Sequence, residues 1–115
     1  MSQAETKIMQ AIQEAVTRDG RAKIRRNVIG QGITDYGSRV TFGMGDGSAD
    51  LLGMLRGSGR VLALEVKTFA PGSRQNKDQL AWAASIRRAG GFVAVARSPA
   101  EALAAVTRAL AGLSE

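Results

Sequence analysis

Apolar side chains recur every three or four positions near the start of the chain, which is the spacing of one helix face. These apolar positions are Ile8, Met9, Ile12, Ala15 and Val16. Ser2 and Glu5 have the Ser-x-x-Glu pattern of a capping box, and Gly20 is typical of the position just beyond a helix end. We therefore predict an amphipathic helix over residues 2–18.

Alternating or continuous apolar runs bounded by glycine indicate strands in the middle of the chain. Two of these runs, residues 49–55 and 60–68, flank Gly57-Ser58-Gly59, which predicts that they pair as a hairpin. Basic side chains recur over residues 22–29, which predicts a basic strand there. The predicted strands cover residues 22–29, 39–42, 49–55, 60–68 and 91–96.

Two more helices are indicated by their boundary residues. A helix over residues 76–89 follows Pro71-Gly72 and stops at Gly90-Gly91. Ser98-Pro99-Ala100-Glu101 is another capping box, with proline at the first helical position, so it begins a final helix. The resulting order, α-β-β-β-β-α-β-α, predicts a single α/β domain over residues 1–115, with a mixed sheet flanked by helices.

The composition limits both the chemistry and the location of the chain. The sequence has no cysteine and no histidine, which excludes disulfides, the usual zinc sites and histidine-dependent nucleophiles. A metal ion would have oxygen ligands, which favours Mg²⁺ or Mn²⁺. The glycine-rich segment 30–47 lacks the Gly-Lys-Ser/Thr of a P-loop, so an NTPase is excluded. With no apolar run near the ~20 residues that span a membrane and no signal peptide, we expect an intracellular, cytoplasmic protein.

The charge balance suggests a class of partner. Sixteen Lys and Arg against ten Asp and Glu give a net charge of +6, which favours a polyanion such as DNA over the alternative of a basic protein with no charged ligand. The few aromatic residues are mostly interpreted as core, so we expect recognition of DNA backbone or shape rather than base stacking. Candidate phosphate contacts, each of which could equally be a solvated charge, are Lys23, Arg25, Arg26, Arg74, Lys77, Arg87 and Arg88.

Two acidic residues and a lysine are the candidate chemistry. In a strand over residues 60–68, Glu65 and Lys67 point to one face about 7 Å apart, the length of two strand rises. An ordinary solvated face would also place Glu and Lys there. The hairpin, however, brings Asp50 beside Glu65, and two adjacent carboxylates repel each other unless a cation lies between them. Lys67 could then hold an attacking water or stabilise charge on a scissile phosphate.

The arrangement Asp50…Glu65-Val66-Lys67 resembles the Asp…Glu-x-Lys signature of the PD-(D/E)XK nuclease superfamily. Flanking residues make nearly the whole chain similar, in order, to the virus-type replication-repair nuclease (VRR-NUC) domains, in a stand-alone form. The matching stretches are the early helix with Glu5, Arg26-Asn27-Val28-Ile29-Gly30, Gly47-Ser48-Ala49-Asp50-Leu51-Leu52-Gly53, Leu64-Glu65-Val66-Lys67-Thr68, Gln79, and Gly90-Gly91-Phe92-Val93-Ala94-Val95-Ala96-Arg97-Ser98.

The resemblance implies a restriction-endonuclease-like fold and metal-dependent hydrolysis of DNA. It implies that Asp50, Glu65 and the backbone carbonyl of Val66 bind Mg²⁺ or Mn²⁺. Lys67 corresponds to the catalytic lysine of the family. Gln79 corresponds to a glutamine that supports the site, and its place on the apolar face of its helix means that it needs a polar partner.

Glu5 has two interpretations. It lies on the apolar face of the first predicted helix, and the resemblance implies a helical glutamate at the metal site. Alternatively, it only closes the capping box with Ser2. One segment departs from the family pattern, because Arg74-Gln75-Asn76-Lys77-Asp78 is more charged than the Gly, Ser and Pro found there in relatives.

The resemblance also implies a substrate and an assembly. It implies a structure-selective endonuclease that cuts branched DNA, above all four-way (Holliday) junctions, in a phage or prophage setting. We expect a symmetric homodimer, because two cuts related by the two-fold axis of a junction need two sites. The alanine-rich helices from Asn76 and Ser98 are candidate dimer surfaces or ordinary core. The alternatives are a flap or single-strand nuclease of the same superfamily and a DNA-binding module without catalysis.

Overall fold

A computed structural model describes residues 2–114 of the chain. Three helices and six strands lie in this part of the chain. The helices are α1 (Gln3–Asp19), α2 (Lys77–Arg88) and α3 (Pro99–Leu110). The strands are β1 (Ala22–Arg26), β2 (Gly30–Ile33), β3 (Arg39–Phe42), β4 (Leu51–Leu55), β5 (Val61–Val66) and β6 (Phe92–Ala96).

The three predicted helices are confirmed, with boundaries set by the expected capping residues. The Ser2 side chain accepts from the Glu5 N–H at the start of α1, and Gly20 ends that helix at a φ of 83°. Asn76 and Gln79 form a complete capping box at the start of α2. Ser98 caps α3, whose first turn contains proline.

Four strands form a mixed sheet in the order β1-β4-β5-β6. The β4–β5 hairpin is antiparallel, as predicted, and places Leu51 opposite Leu64. Strand β6 runs parallel to β5, with α2 as the connection between them. The α/β class and the mixed sheet flanked by helices are therefore confirmed.

The order of elements differs from the predicted one by strand β2. Residues 30–33 pair with β3 in a separate two-stranded sheet. Gly30 and Gly32 supply no side chains to an alternating pattern, so the strand gave no sequence signal. The predicted strand over residues 22–29 is also too long. It ends at Arg26, although the Asn27 N–H still donates to the Asp50 carbonyl (2.8 Å) just beyond the last paired residues of β1 and β4.

The sheet has a core on each face. The larger core lies under α1 and α3 and includes Ile12, Leu64 and Phe92, each 0% exposed. The smaller core, under α2, consists of Ala49, Ala63, Ala83 and Val93, with partly buried neighbours that include Trp82. Among residues 2–114, no helix is both long and apolar enough to cross a membrane.

Candidate metal centre

The β4–β5 hairpin brings Asp50 and Glu65 together. Asp50 immediately precedes β4, and the register that places Leu51 opposite Leu64 sets Asp50 beside Glu65. The Val66 N–H donates to Asp50 Oδ2 at 2.7 Å, which fixes one carboxylate oxygen of Asp50 on the neighbouring strand. The convergence expected from the hairpin is confirmed.

Glu65 is fully buried, although glutamate is rarely buried without a partner. Its face of β5 is covered by α2 through Ala63 and Ala83, so the alternative of a solvated polar face does not hold at this position. Gln79 on α2 donates its Nε2–H to Glu65 Oε2 at 3.1 Å. Glu65 Oε1 has no hydrogen-bond partner. A buried carboxylate oxygen without a partner is costly, unless a positive ligand occupies its open side.

The surroundings of the two carboxylates disfavour their charge. Burial and, secondly, the nearby Asp50 carboxylate together raise the pKa of Glu65 from 4.5 to about 7, against the opposing effect of the Lys67 ammonium. Burial also raises the pKa of Asp50, against the lowering effects of the Val66 N–H and of Lys67, and Glu5 adds to the increase. The positive groups near the two carboxylates do not offset this rise in their pKa values.

Lys67 directly follows β5 and is half-buried. Its charge lowers the pKa of both Asp50 and Glu65, so it lies close enough to act on them. In the part of the chain that the structure describes, the one ion pair joins Arg21 to Asp19. Lys67 thus carries a positive charge beside the carboxylates that no ion pair engages.

Gln79 contacts Glu65 directly, whereas Val66 could offer the site only a main-chain group. The Gln79 amide connects two elements, because its Oε1 accepts from the Asn76 N–H at 2.9 Å while its Nε2 reaches Glu65. The Val66 side chain is buried in the larger core, so its backbone carbonyl is the group that it could offer a cation.

Glu5 contacts Ser2, as its second interpretation requires, but its carboxylate accepts from the Ser2 hydroxyl and not from the backbone N–H that would complete a capping box. The Ser2 hydroxyl donates to Glu5 Oε1 at 3.1 Å, and the Glu5 N–H donates back to the Ser2 hydroxyl at 3.1 Å. The negative charge of Glu5 nevertheless raises the pKa of Asp50. Among residues 2–114, no three acidic side chains are grouped closely enough to hold a metal ion. The ligands available for a cation are therefore two carboxylates and main-chain oxygen.

A buried polar network positions the segment before Asp50, and the sequence did not indicate it. Asn27 Nδ2 donates to the Ser48 hydroxyl (2.8 Å) and to the Ala49 carbonyl (2.9 Å). Its Oδ1 accepts from the Met44 N–H at 3.3 Å. One asparagine thus connects the end of β1 to the turn that leads into Asp50. These partners are 17 to 22 positions apart, so no local motif reveals them.

Gly47 allows the same turn to pack against α2. It adopts a φ of +78°, and a Cβ added there would lie 2.4 Å from the Asp78 carbonyl oxygen. Only glycine permits this approach, which sets the turn before Asp50 against the first turn of the helix that carries Gln79.

The predicted DNA contacts are dispersed. Lys23, Arg25 and Arg26 are exposed on β1, and Arg26 lines a cleft of about 200 Å³ that Asp50 also lines. Arg74 and Lys77 are exposed at the entry to α2. The remaining pair differs, because Arg87 donates to the Val93 carbonyl at 3.0 Å whereas Arg88 is exposed. A wider pocket of about 780 Å³ between α1 and Arg25 contains no residue of the acidic site.

Two aromatic side chains are exposed and belong to neither core. Phe92 is buried and Trp82 packs on the smaller core, but Tyr36 is 95% exposed and Phe69 is 72% exposed. Tyr36 lies in the β2–β3 turn, and Phe69 follows Lys67 by two residues. Both rings are therefore accessible to solvent.

Comparison with known protein families finds no family model that matches this chain, and a search of curated proteins finds no match either. The resemblance to VRR-NUC domains stays a prediction from the motif residues.

Proposed function

We propose that this chain is a metal-dependent endodeoxyribonuclease with a restriction-endonuclease-like fold of the VRR-NUC type. The observation that carries the proposal is the Oε1 atom of Glu65, which is buried and without a hydrogen-bond partner, beside Asp50 and Lys67. A group with these neighbours is a functional-site candidate, because such an arrangement destabilises the protein without a ligand.

The residues present fit a hard divalent cation such as Mg²⁺ or Mn²⁺. The available donors are the Glu65 carboxylate, the Asp50 carboxylate and the Val66 carbonyl, all of them oxygen. Gln79 occupies Glu65 Oε2, and the Val66 N–H occupies Asp50 Oδ2. One oxygen of each carboxylate is therefore held in place by protein and the other is left for the cation. When bound, the cation would supply Lewis-acid activation of the phosphodiester and of a water molecule.

Lys67 is the chain's own contribution to the reaction in this proposal. Its charge acts on both carboxylates and, among residues 2–114, it has no ion-pair partner, so we assign it to donate to the attacking water or to a phosphate oxygen. Gln79 acts as a positioning residue through Glu65. Glu5 is proposed at the margin of the site, where its charge acts on Asp50 while its carboxylate accepts from Ser2.

DNA is the proposed substrate on grounds of charge, and four-way junctions are its leading form by resemblance. The net charge of +6 and the exposed cations Lys23, Arg25 and Arg26 suit a phosphate backbone. We keep the homodimer as part of the proposal, since one acidic cluster per chain cuts one strand at a time. The buried alanines of the helices do not support it, because Ala83 on α2 and Ala102 on α3 lie in the chain's own cores.

The test is cleavage of labelled junction, flap and duplex DNA with and without Mn²⁺. Parent protein is expected to cut branched DNA in a metal-dependent way, whereas Asp50→Asn and Glu65→Gln should not cut at all. Glu14→Gln is the matched control, because Glu14 is an exposed carboxylate on α1 outside the site. Metal-dependent turnover by either site variant would refute the metal assignment, and DNA binding without cleavage by the parent would favour a binding module.

The assembly is tested separately by light scattering and by mapping cuts on each junction arm. A dimer that makes two symmetric cuts supports junction resolution. A monomer that cuts one strand beside a flap would transfer the proposal to a flap nuclease of the same superfamily.

A further inference from the structure

Phe69 is an exposed aromatic ring at the edge of the candidate metal centre. It is 72% exposed and follows Lys67 by two residues. Single exposed apolar side chains are common on protein surfaces, so exposure by itself indicates nothing. Two further features make Phe69 a candidate: it lies close to Lys67 in the proposed site, and the turn that carries it is fixed by hydrogen bonds.

The turn that carries Phe69 is held by hydrogen bonds on both sides of it. The Thr68 N–H donates to the Ser73 hydroxyl at 2.9 Å, and the Ser73 N–H donates to the Ala70 carbonyl at 3.1 Å. Arg97 donates through Nε to the Thr68 carbonyl at 3.2 Å and through Nη2 to the Ser73 carbonyl at 3.4 Å. The backbone is thus fixed from outside the turn, while the ring itself is left facing solvent.

The chain length fixes how far the ring lies from the proposed chemistry. Two residues span at most about 7 Å along the backbone, so Phe69 stays within reach of a nucleotide next to a phosphate bound at Lys67. Aromatic rings bind nucleobases by stacking, and a fixed backbone turn reduces the entropy that is lost when the ring does so.

We infer that Phe69 is a stacking platform for the base adjacent to the scissile phosphate. This inference rests on the proposed nuclease function and narrows its substrate class to DNA with an unstacked base at the cut. In a continuous duplex every base is stacked between its neighbours, and stacking on Phe69 would require an unstacking of comparable cost. At a junction, flap or single-strand boundary the base is already free, so the contact contributes fully.

The test compares Phe69→Ala with the parent protein on junction, flap and fully paired duplex DNA. We expect Phe69→Ala to weaken binding to branched DNA by roughly 10-fold to 100-fold, the range for one stacked base, and to change duplex binding less than about threefold. Phe69→Trp should restore binding. Leu110→Ala, which shortens an exposed apolar side chain on α3, is the control and should leave all three affinities unchanged.

A second measurement locates the contact. 2-Aminopurine placed next to the cut should lose fluorescence when the parent protein binds and keep it when Phe69→Ala binds. Equal losses of affinity on all three DNAs, or no loss on branched DNA, would overturn the inference. The affinity comparison does not depend on cleavage. If the protein binds DNA but never cuts it, the nuclease proposal is wrong, and the affinities of Phe69→Ala still test whether Phe69 stacks on a base.

Discussion

The two faces of β5 differ in the polarity of the side chains that they bury. Leu62, Leu64 and Val66 lie on one face and pack under α1 and α3 with no polar group to satisfy. Ala63 and Glu65 lie on the other face under α2, where a small residue is followed by a carboxylate with one open oxygen. One face therefore stabilises the fold through burial, whereas burial on the other face destabilises the charged group that it encloses.

The largest expected effect comes from breaking the apolar face. Leu64→Ala should lower the free energy of unfolding by about 2–5 kcal/mol, because Leu64 is 0% exposed and its loss leaves a cavity. Urea denaturation measures this change. Leu110→Ala, at a 43% exposed position, should change stability by less than about 0.5 kcal/mol. A similar cost for both variants would contradict the assignment of the larger core.

Glu65→Gln should stabilise the metal-free protein at pH 8. The pKa of Glu65 is raised from 4.5 to about 7, so the folded state holds a proton that the unfolded state has released. Stability consequently falls as pH rises from about 4.5 to about 7, by about 3 kcal/mol for this group. The neutral amide avoids that loss, because it has no charge to desolvate and to repel Asp50.

Urea denaturation in the presence of a chelator, at pH 4.5 and pH 8, measures the effect as a difference between parent and Glu65→Gln. The difference isolates Glu65, because Asp50 and Asp19 are present in both proteins. Saturating Mg²⁺ or Mn²⁺ should stabilise the parent at pH 8 far more than the variant. If the difference in stability between parent and variant is the same at pH 8 and at pH 4.5, the raised pKa of Glu65 is contradicted.

Lys67→Ala tests the proposed catalytic role of the lysine that directly follows β5. We expect a loss of about 100-fold in the single-turnover rate on DNA, the usual scale for a group that stabilises developing charge. Lys7→Ala, which removes an exposed cation of α1 that is not among the predicted DNA contacts, should change the rate little. If Lys67→Ala instead lost affinity and kept its rate, Lys67 would be an anchor for phosphate.

The smallest expected effect concerns the hydrogen bond that α2 contributes. Gln79→Leu should weaken Mn²⁺ binding by about tenfold, since a residue that orients a ligand usually affects affinity on that scale. Isothermal titration measures the affinity. Asn76→Ala is the matched control, because it breaks the same capping box and leaves the Gln79 amide free to donate to Glu65. Equal losses in both variants would mean that the effect comes from the helix cap.

Local patterns were enough to predict the helices and the hairpin. Capping residues and glycines set the boundaries of α1, α2 and α3, and the hairpin placed Asp50 beside Glu65. Gln79 could also be placed, since its helix face had to meet the sheet. These features depend on neighbours close in sequence or on a single periodicity.

The features that could not be predicted depend on distant partners or on missing side chains. Strand β2 contains two glycines in four residues, so no alternation could reveal it. The contacts of Asn27 join residues about 20 positions apart. The turn that carries Phe69 is held by Arg97, which lies 29 positions from its partner Thr68. Tertiary contacts decide such cases and leave no periodic signal.

The β4–β5 hairpin has a consequence for the order of folding. The contact between the Val66 N–H and Asp50 spans 16 positions, and loops of that length close at little entropic cost. Hairpins form on the order of microseconds, so Asp50 and Glu65 meet before α2 has to dock on them. We expect the repulsion between the two carboxylates to oppose this early pairing. We therefore expect the divalent cation of the proposed site to reduce this repulsion in the nascent hairpin and to accelerate refolding.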